Sequence, residues 1–113
     1  MFAGKQNRIV LVTCGSMPEA RRIATNVVKK RLAACANILP GPVQSIYRWK
    51  RKVQSAREVL MVIKTSVKRL NQLEREVKRL HSYDVPEFIV VPITGGSREY
   101  LAWVNESVQP APE

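Results

Sequence analysis

Ile9-Val10-Leu11-Val12-Thr13-Cys14-Gly15-Ser16-Met17-Pro18-Glu19 is the stretch from which the fold can be read. Its first six residues are β-branched or apolar and carry no charge, which suits a strand buried on both faces. Gly15 ends the run. Ser16 stands three residues before Glu19, the spacing at which a hydroxyl and a carboxylate satisfy each other's unpaired N–H groups at a helix start. Pro18 falls in the first turn, where its missing N–H costs nothing. Ala20, Ile23, Ala24, Val27 and Val28 then recur at helical spacing, with Arg21, Arg22, Lys29 and Lys30 on other faces. A strand thus hands over to an amphipathic helix that must bury one side on a sheet.

The pattern recurs downstream. Ala33 to Leu39 reads as a second strand, interrupted at Pro40-Gly41-Pro42 because proline removes ladder donors and glycine permits a sharp bend. The strand then resumes with alternation, Ser45, Tyr47 and Trp49 on one face and Gln44, Ile46, Arg48 and Lys50 on the other. Tyr47 and Trp49 are there as core or as interface anchors. The polar segment from Arg51 to Arg57 reads as the turn of a long hairpin, and Val59 to Ile63 as its buried return. Ser66 reads as the cap of a second helix, in which Leu70, Leu73, Val77 and Leu80 fall three and four apart. His81 to Asp84 end that helix, Val85-Pro86 forces extended geometry, and Phe88 to Ile93 reads as the last strand. Gly95-Gly96 reads as a turn, Ser97 as the cap of a short final helix, and Pro110 to Glu113 as a frayed tail. The order β-α-β, β-α-β, helix makes two right-handed split crossovers on one antiparallel sheet. The expected fold is therefore an α/β, ferredoxin-like βαββαβ sheet with two packed helices plus a C-terminal helix. Many unrelated functions share that architecture, so function must come from a site.

With 113 residues, a single domain spanning 1–113 is expected, its core at about residues 9–108. Hydrophobic residues make up 45% and charged residues 25%, a composition that excludes whole-chain disorder. The longest apolar runs, Val59 to Ile63 and Phe88 to Val91, are far shorter than the ~20 residues of a membrane-spanning helix. No basic start, apolar core and small-residue cleavage site open the chain, so a cytoplasmic protein without a leader or membrane contact is expected. Two cysteines are too few for a disulfide scaffold. Nineteen Lys and Arg against nine Asp and Glu give a net charge of +10, which raises the question of nucleic acid. The basic residues are nevertheless dispersed in short groups, with no basic tail and no aromatic-rich strand to stack bases. Solvated faces and solubility are their expected role, and nucleic acid is not an expected partner.

No glycine-rich phosphate loop, G-x-S-x-G elbow, H-E-x-x-H or C-x-x-C motif occurs. A nucleophile–base pair would need Cys14 or Cys35 with the single histidine, His81. Neither thiol lies at a helix N-terminus or beside a cation in sequence, so no catalytic residue is assigned. A metal site is better placed. Cys14 ends the first strand, and His81 ends the second helix just before the last strand, which lies beside the first in this fold. Glu87 and Asp84 flank the same turn. The candidate metal ligands are therefore His81, Cys14 and Glu87, and a thiolate with an imidazole favours copper(I) or zinc. The competing reading makes Cys14 a small buried hydrophobe, His81 a helix C-cap and Glu87 the partner of an arginine. Cys35, within Ala33-Ala34-Cys35-Ala36, reads as core packing.

Five blocks carry a family resemblance: Lys30-Arg31-Leu32-Ala33-Ala34-Cys35-Ala36-Asn37-Ile38, Ser45-Ile46-Tyr47-Arg48-Trp49-Lys50, Ile63-Lys64-Thr65, His81-Ser82-Tyr83-Asp84-Val85-Pro86-Glu87 and Tyr100-Leu101-Ala102-Trp103-Val104. In order and without a large insertion, from Ile9 to Val108, they resemble the CutA family of divalent-cation tolerance proteins. The resemblance implies a ferredoxin-like protomer in a homotrimer whose strands pair across subunits. It also implies a role in the response to copper and other divalent metals, with no established catalytic activity. Three departures stand out. Arg51 replaces the glycine expected after Trp-Lys, and Ser82 the proline expected after the histidine. The copper ligands expected from the family member in which they are best known fall on Val12, Leu80 and His81 here, so one of three is kept, with Cys14 two residues from the position of another. Two other readings stay open: a basic oligomer that binds nucleic acid or another polyanion, and a sensor of a small ligand in clefts between subunits.

Overall fold

The computed structural model describes residues 2–111. Strand β1 (Phe2–Ala3) and strand β2 (Asn7–Cys14) precede helix α1 (Met17–Lys29). Two long strands follow, β3 (Cys35–Trp49) and β4 (Lys52–Ser66), then a single 3-10 turn (Val67–Arg69) leading into α2 (Leu70–Leu80). Strands β5 (Ile89–Pro92) and β6 (Gly95–Gly96) and helix α3 (Arg98–Ser107) complete the described chain. Four strands form one sheet in the order β3-β4-β2-β5, every pair antiparallel. This is the expected ferredoxin-like order, with β2 between β4 and β5. Cys14 lies opposite Val59, and Leu11 opposite Ile89.

Local chemistry sets the boundaries. The Ser16 hydroxyl accepts the N–H of Glu19, and the Ser97 hydroxyl accepts that of Tyr100, so both serines cap the helices assigned to them. Ser66 instead caps the 3-10 turn, accepting the N–H of Lys68, and α2 starts four residues later, at Leu70. One face of β2 (Val10, Val12, Cys14) packs with Val59, Met61 and Ile63 of β4 against Ala20, Ile23 and Val27 of α1 and Leu73 and Val77 of α2. The largest of these side chains are fully buried, each contributing roughly 1.5–3 kcal/mol of transfer free energy.

Several expectations need correcting. Strand β2 is not buried on both faces: Ile9, Leu11 and Thr13 are only half covered, because α1 and α2 both pack on the other side. Arg51 to Arg57 is not a turn. The turn is the pair Lys50-Arg51, both with left-handed φ (49° and 68°), and β4 already runs from Lys52. The segment lacks apolar alternation because both faces of this hairpin arm are exposed in the single chain. Pro40-Gly41-Pro42 does not split β3 into two strands; it shifts the register between Leu39 and Val43 while pairing continues. Gly95-Gly96 is also strand, paired with Phe2-Ala3. Tyr47 and Trp49 are exposed, hence not core. Of the tail expected from Pro110, residues 112 and 113 lie outside the described residues.

Candidate metal centre

Cys14 is the last residue of β2 and shares the helix-facing side with Val10 and Val12. Gly15 and Ser16 turn the chain into α1, so Glu19 comes in its first turn, close to where β2 stops. His81 is the C-cap of α2, its N–H donating to the Val77 carbonyl. Because α1 and α2 lie side by side on the sheet, the start of one and the end of the other converge. The Arg22 guanidinium fastens them by donating to the Leu80 carbonyl at 3.1 Å.

The result is a cluster in which one ligand atom each from Cys14, Glu19 and His81 lies within 4.8 Å of the others. Cys14 Sγ is 3.7 Å from His81 Nε2, and Glu19 Oε1 is 3.4 Å from His81 Nδ1. The cluster is dry: Cys14 and the His81 side chain are 0% exposed and the Glu19 side chain 11%. The hydrogen-bond network assigns the tautomer. The Tyr83 N–H donates to Nδ1 at 3.1 Å, so Nδ1 carries the lone pair, and Nε2–H donates to the Thr13 carbonyl at 2.8 Å. Glu19 Oε1 therefore faces a second acceptor, and it has no hydrogen-bond partner. A buried acceptor left unpaired costs about 1–3 kcal/mol. A cation that takes the Nδ1 lone pair from the Tyr83 N–H removes that cost, so the donor set fits a metal once that hydrogen bond is given up.

The same three residues have the order of a nucleophile–imidazole–carboxylate triad, but the chemistry opposes that use. The Nε2 proton is engaged by Thr13, so no lone pair faces the thiol. Burial, with the nearby Glu19 and Glu58 charges, pushes the Cys14 thiol up to about 12, away from a thiolate.

Of the three ligands expected from the sequence, Cys14 and His81 are brought together and Glu87 is not. Glu87 lies instead on the wall of an open cavity of about 680 Å³, with Glu58, Tyr83 and Asp84 among the other lining residues. Burial, then the Glu58 charge, raises its pKa. The carboxylate in the cluster is Glu19, which the sequence presented only as half of a capping box. The serine half of that box forms, whereas the Glu19 side chain turns to His81. Cys35 is not core packing: it is half-buried at the start of β3, its Sγ 3.8 Å from Lys64 Nζ.

A profile of the family described as "CutA1 divalent ion tolerance protein" matches residues 8–107. The divalent-cation tolerance protein CutA of Thermus thermophilus is 46% identical over 99 residues, covering 88% of this chain and 95% of the relative. Protein CutA, chloroplastic, of Arabidopsis thaliana is 45% identical over 101 residues, but the chain spans only 55% of its length. Among solved structures, CutA1 from Thermus thermophilus superposes with a TM-score of 0.89 at 45% identity, covering 91% of this chain and 99% of that one. A structure described as the periplasmic CutA from Archaeoglobus fulgidus gives 0.87 at 37% identity, covering 91% and 99%. The relatives' names thus include a chloroplastic and a periplasmic protein, and among the described residues no helix is long and apolar enough to cross a membrane. By family match, identity and fold together, the chain belongs to the CutA1 family of divalent-ion tolerance proteins.

Proposed function

We propose that this CutA1-family protein answers divalent and soft metal ions by binding one directly, with Cys14, His81 and Glu19 as its ligands. The observation that carries the reading is Glu19 Oε1, buried without a partner and aimed at an imidazole nitrogen beside a thiol. A thiol, an imidazole and one carboxylate suit zinc(II) or copper, and ill suit magnesium or calcium, which prefer all-oxygen shells. Zinc titration by calorimetry tests it: the wild-type chain binds one equivalent, Cys14→Ser and His81→Ala lose the heat, and Glu19→Gln weakens it. Equal heats in all four chains contradict the assignment.

The protein acts as a homotrimer through strand pairing. What supports this is the hairpin arm, where Ile46 (72% exposed), Val53 (67%), Tyr47 and Trp49 present apolar surface beside the free edge of β3. An uncovered edge with such side chains is an aggregation hazard that association removes. The cytoplasm, a reducing compartment, suits the free thiols Cys14 and Cys35.

A further inference from the structure

We propose that metal ions reach the Cys14–Glu19–His81 cluster from the open acidic cavity, with the Tyr83 ring as the movable wall between them and Asp84, Glu87 and Glu58 as the antechamber that collects cations. The inference rests on the metal reading of the cluster and adds its route of entry.

The far wall of the cavity is Ile46, Tyr47 and Trp49 of the hairpin arm, which the proposed trimer places at a subunit contact, and two residues of its near wall touch the cluster directly. Thr13 holds His81 Nε2 through its carbonyl, and Tyr83 holds Nδ1 through its N–H. The Tyr83 ring leans against the imidazole, tilted by 50° with centroids 4.7 Å apart. Its hydroxyl lies 3.2 Å from where a Cβ on Gly15 would stand, so the phenol covers the residue next to Cys14, in space that a glycine leaves free. That hydroxyl donates to Glu58 Oε2 at 2.9 Å, a single latch across the cavity. Residues 82–88 form no helix or strand, and Ser82, Tyr83, Asp84 and Val85 are exposed, which is the environment of a segment that opens locally. Electrostatics gives the cavity its direction. A chain of net charge +10 repels a metal cation, but the ionisable groups lining this cavity are Tyr47, Glu58, Tyr83, Asp84 and Glu87, with no Lys or Arg among them. Fields from distant charges are screened within about 8–10 Å at physiological salt, so the local carboxylates govern approach to the opening.

Two readouts test the route. In a Cys35→Ser background, Cys14 is labelled at one pH with two neutral methanethiosulfonates of different size, so that a change in thiol acidity scales both rates alike and a change in access alters their ratio. Cobalt(II) uptake is followed by stopped flow. Tyr83→Ala is expected to raise Cys14 labelling by the larger reagent about tenfold, and by the smaller one less, and to raise the cobalt on- and off-rates together, leaving Kd nearly unchanged. Tyr83→Phe, which keeps the ring and frees the latch, moves the same rates in the same direction by less. Asp84→Asn with Glu87→Gln slows cobalt uptake and flattens its salt dependence without changing labelling by the neutral reagents. A labelling ratio that is unchanged in both Tyr83 variants overturns the wall, and an unchanged on-rate in the double variant overturns the antechamber. Absence of cobalt uptake by the wild-type chain overturns the metal reading and the antechamber with it, while the labelling ratio still decides whether Tyr83 covers Cys14.

Discussion

Cys14 and Arg51 each occupy a place where the local chemistry runs against the residue's ordinary preference. The thiol, pushed up to about 12, stays protonated at neutral pH, so metal binding must displace its proton. Zinc affinity is accordingly expected to rise about tenfold per pH unit above neutrality, with one proton released per metal, measurable by calorimetry in buffers of different ionisation heat. Arg51 has a left-handed backbone (φ 68°) in a two-residue hairpin turn, where a side chain costs about 1–2 kcal/mol relative to glycine. Arg51→Gly is expected to raise stability by about 1 kcal/mol in denaturant melts. Sequence alone exposed the Arg51 anomaly, because the family places glycine there, and it paired Cys14 with His81 from their positions at element ends. It could not supply Glu19. A glutamate three residues after a serine has a complete local explanation in helix capping, and only the side-by-side packing of α1 and α2 redirects its carboxylate.

At the scale of elements, α1 and α2 are joined on their outer side as well as through the core. Glu76 on α2 meets Arg79 one turn on, at 2.7 Å, and Lys30 beyond the end of α1, at 2.5 Å. Hydrogen bonds first from Arg79 and then from Lys30 hold its carboxyl down, from about 4.5 to about 2. A carboxyl lowered in the folded state stabilises fully above its unfolded value, and the contribution is lost as pH falls from about 4.5 toward 2. Thermal melts across that window are expected to lose stability in the wild-type chain, with a shallower dependence in Glu76→Gln. Both helices were legible from apolar spacing, since each buries one stripe on the sheet. The hairpin arm was not. Lys52 to Arg57 is strand by backbone pairing with β3, yet it covers no core of its own chain, so its residues carry no period-two signal.

The whole molecule measures 44 × 33 × 23 Å, elongated for its length. A free β3 edge, the exposed arm and the proposed trimer belong together, since exposed apolar surface of this kind marks an interaction site. Placing a charge at its centre, Ile46→Asp, is expected to shift sedimentation from trimer toward monomer while far-UV circular dichroism is kept. An unchanged trimer would remove the arm from the interface. Inside each protomer, the cluster under the helix ends is the proposed seat of the metal. Native mass spectrometry of the reduced protein, with one equivalent per chain of copper(I) or zinc(II), tests it most directly. The expected species is a trimer carrying one metal per chain, reverting to the metal-free mass in Cys14→Ser and His81→Ala. A wild-type protein that stays metal-free, or variants that load as fully as the wild type, would contradict it.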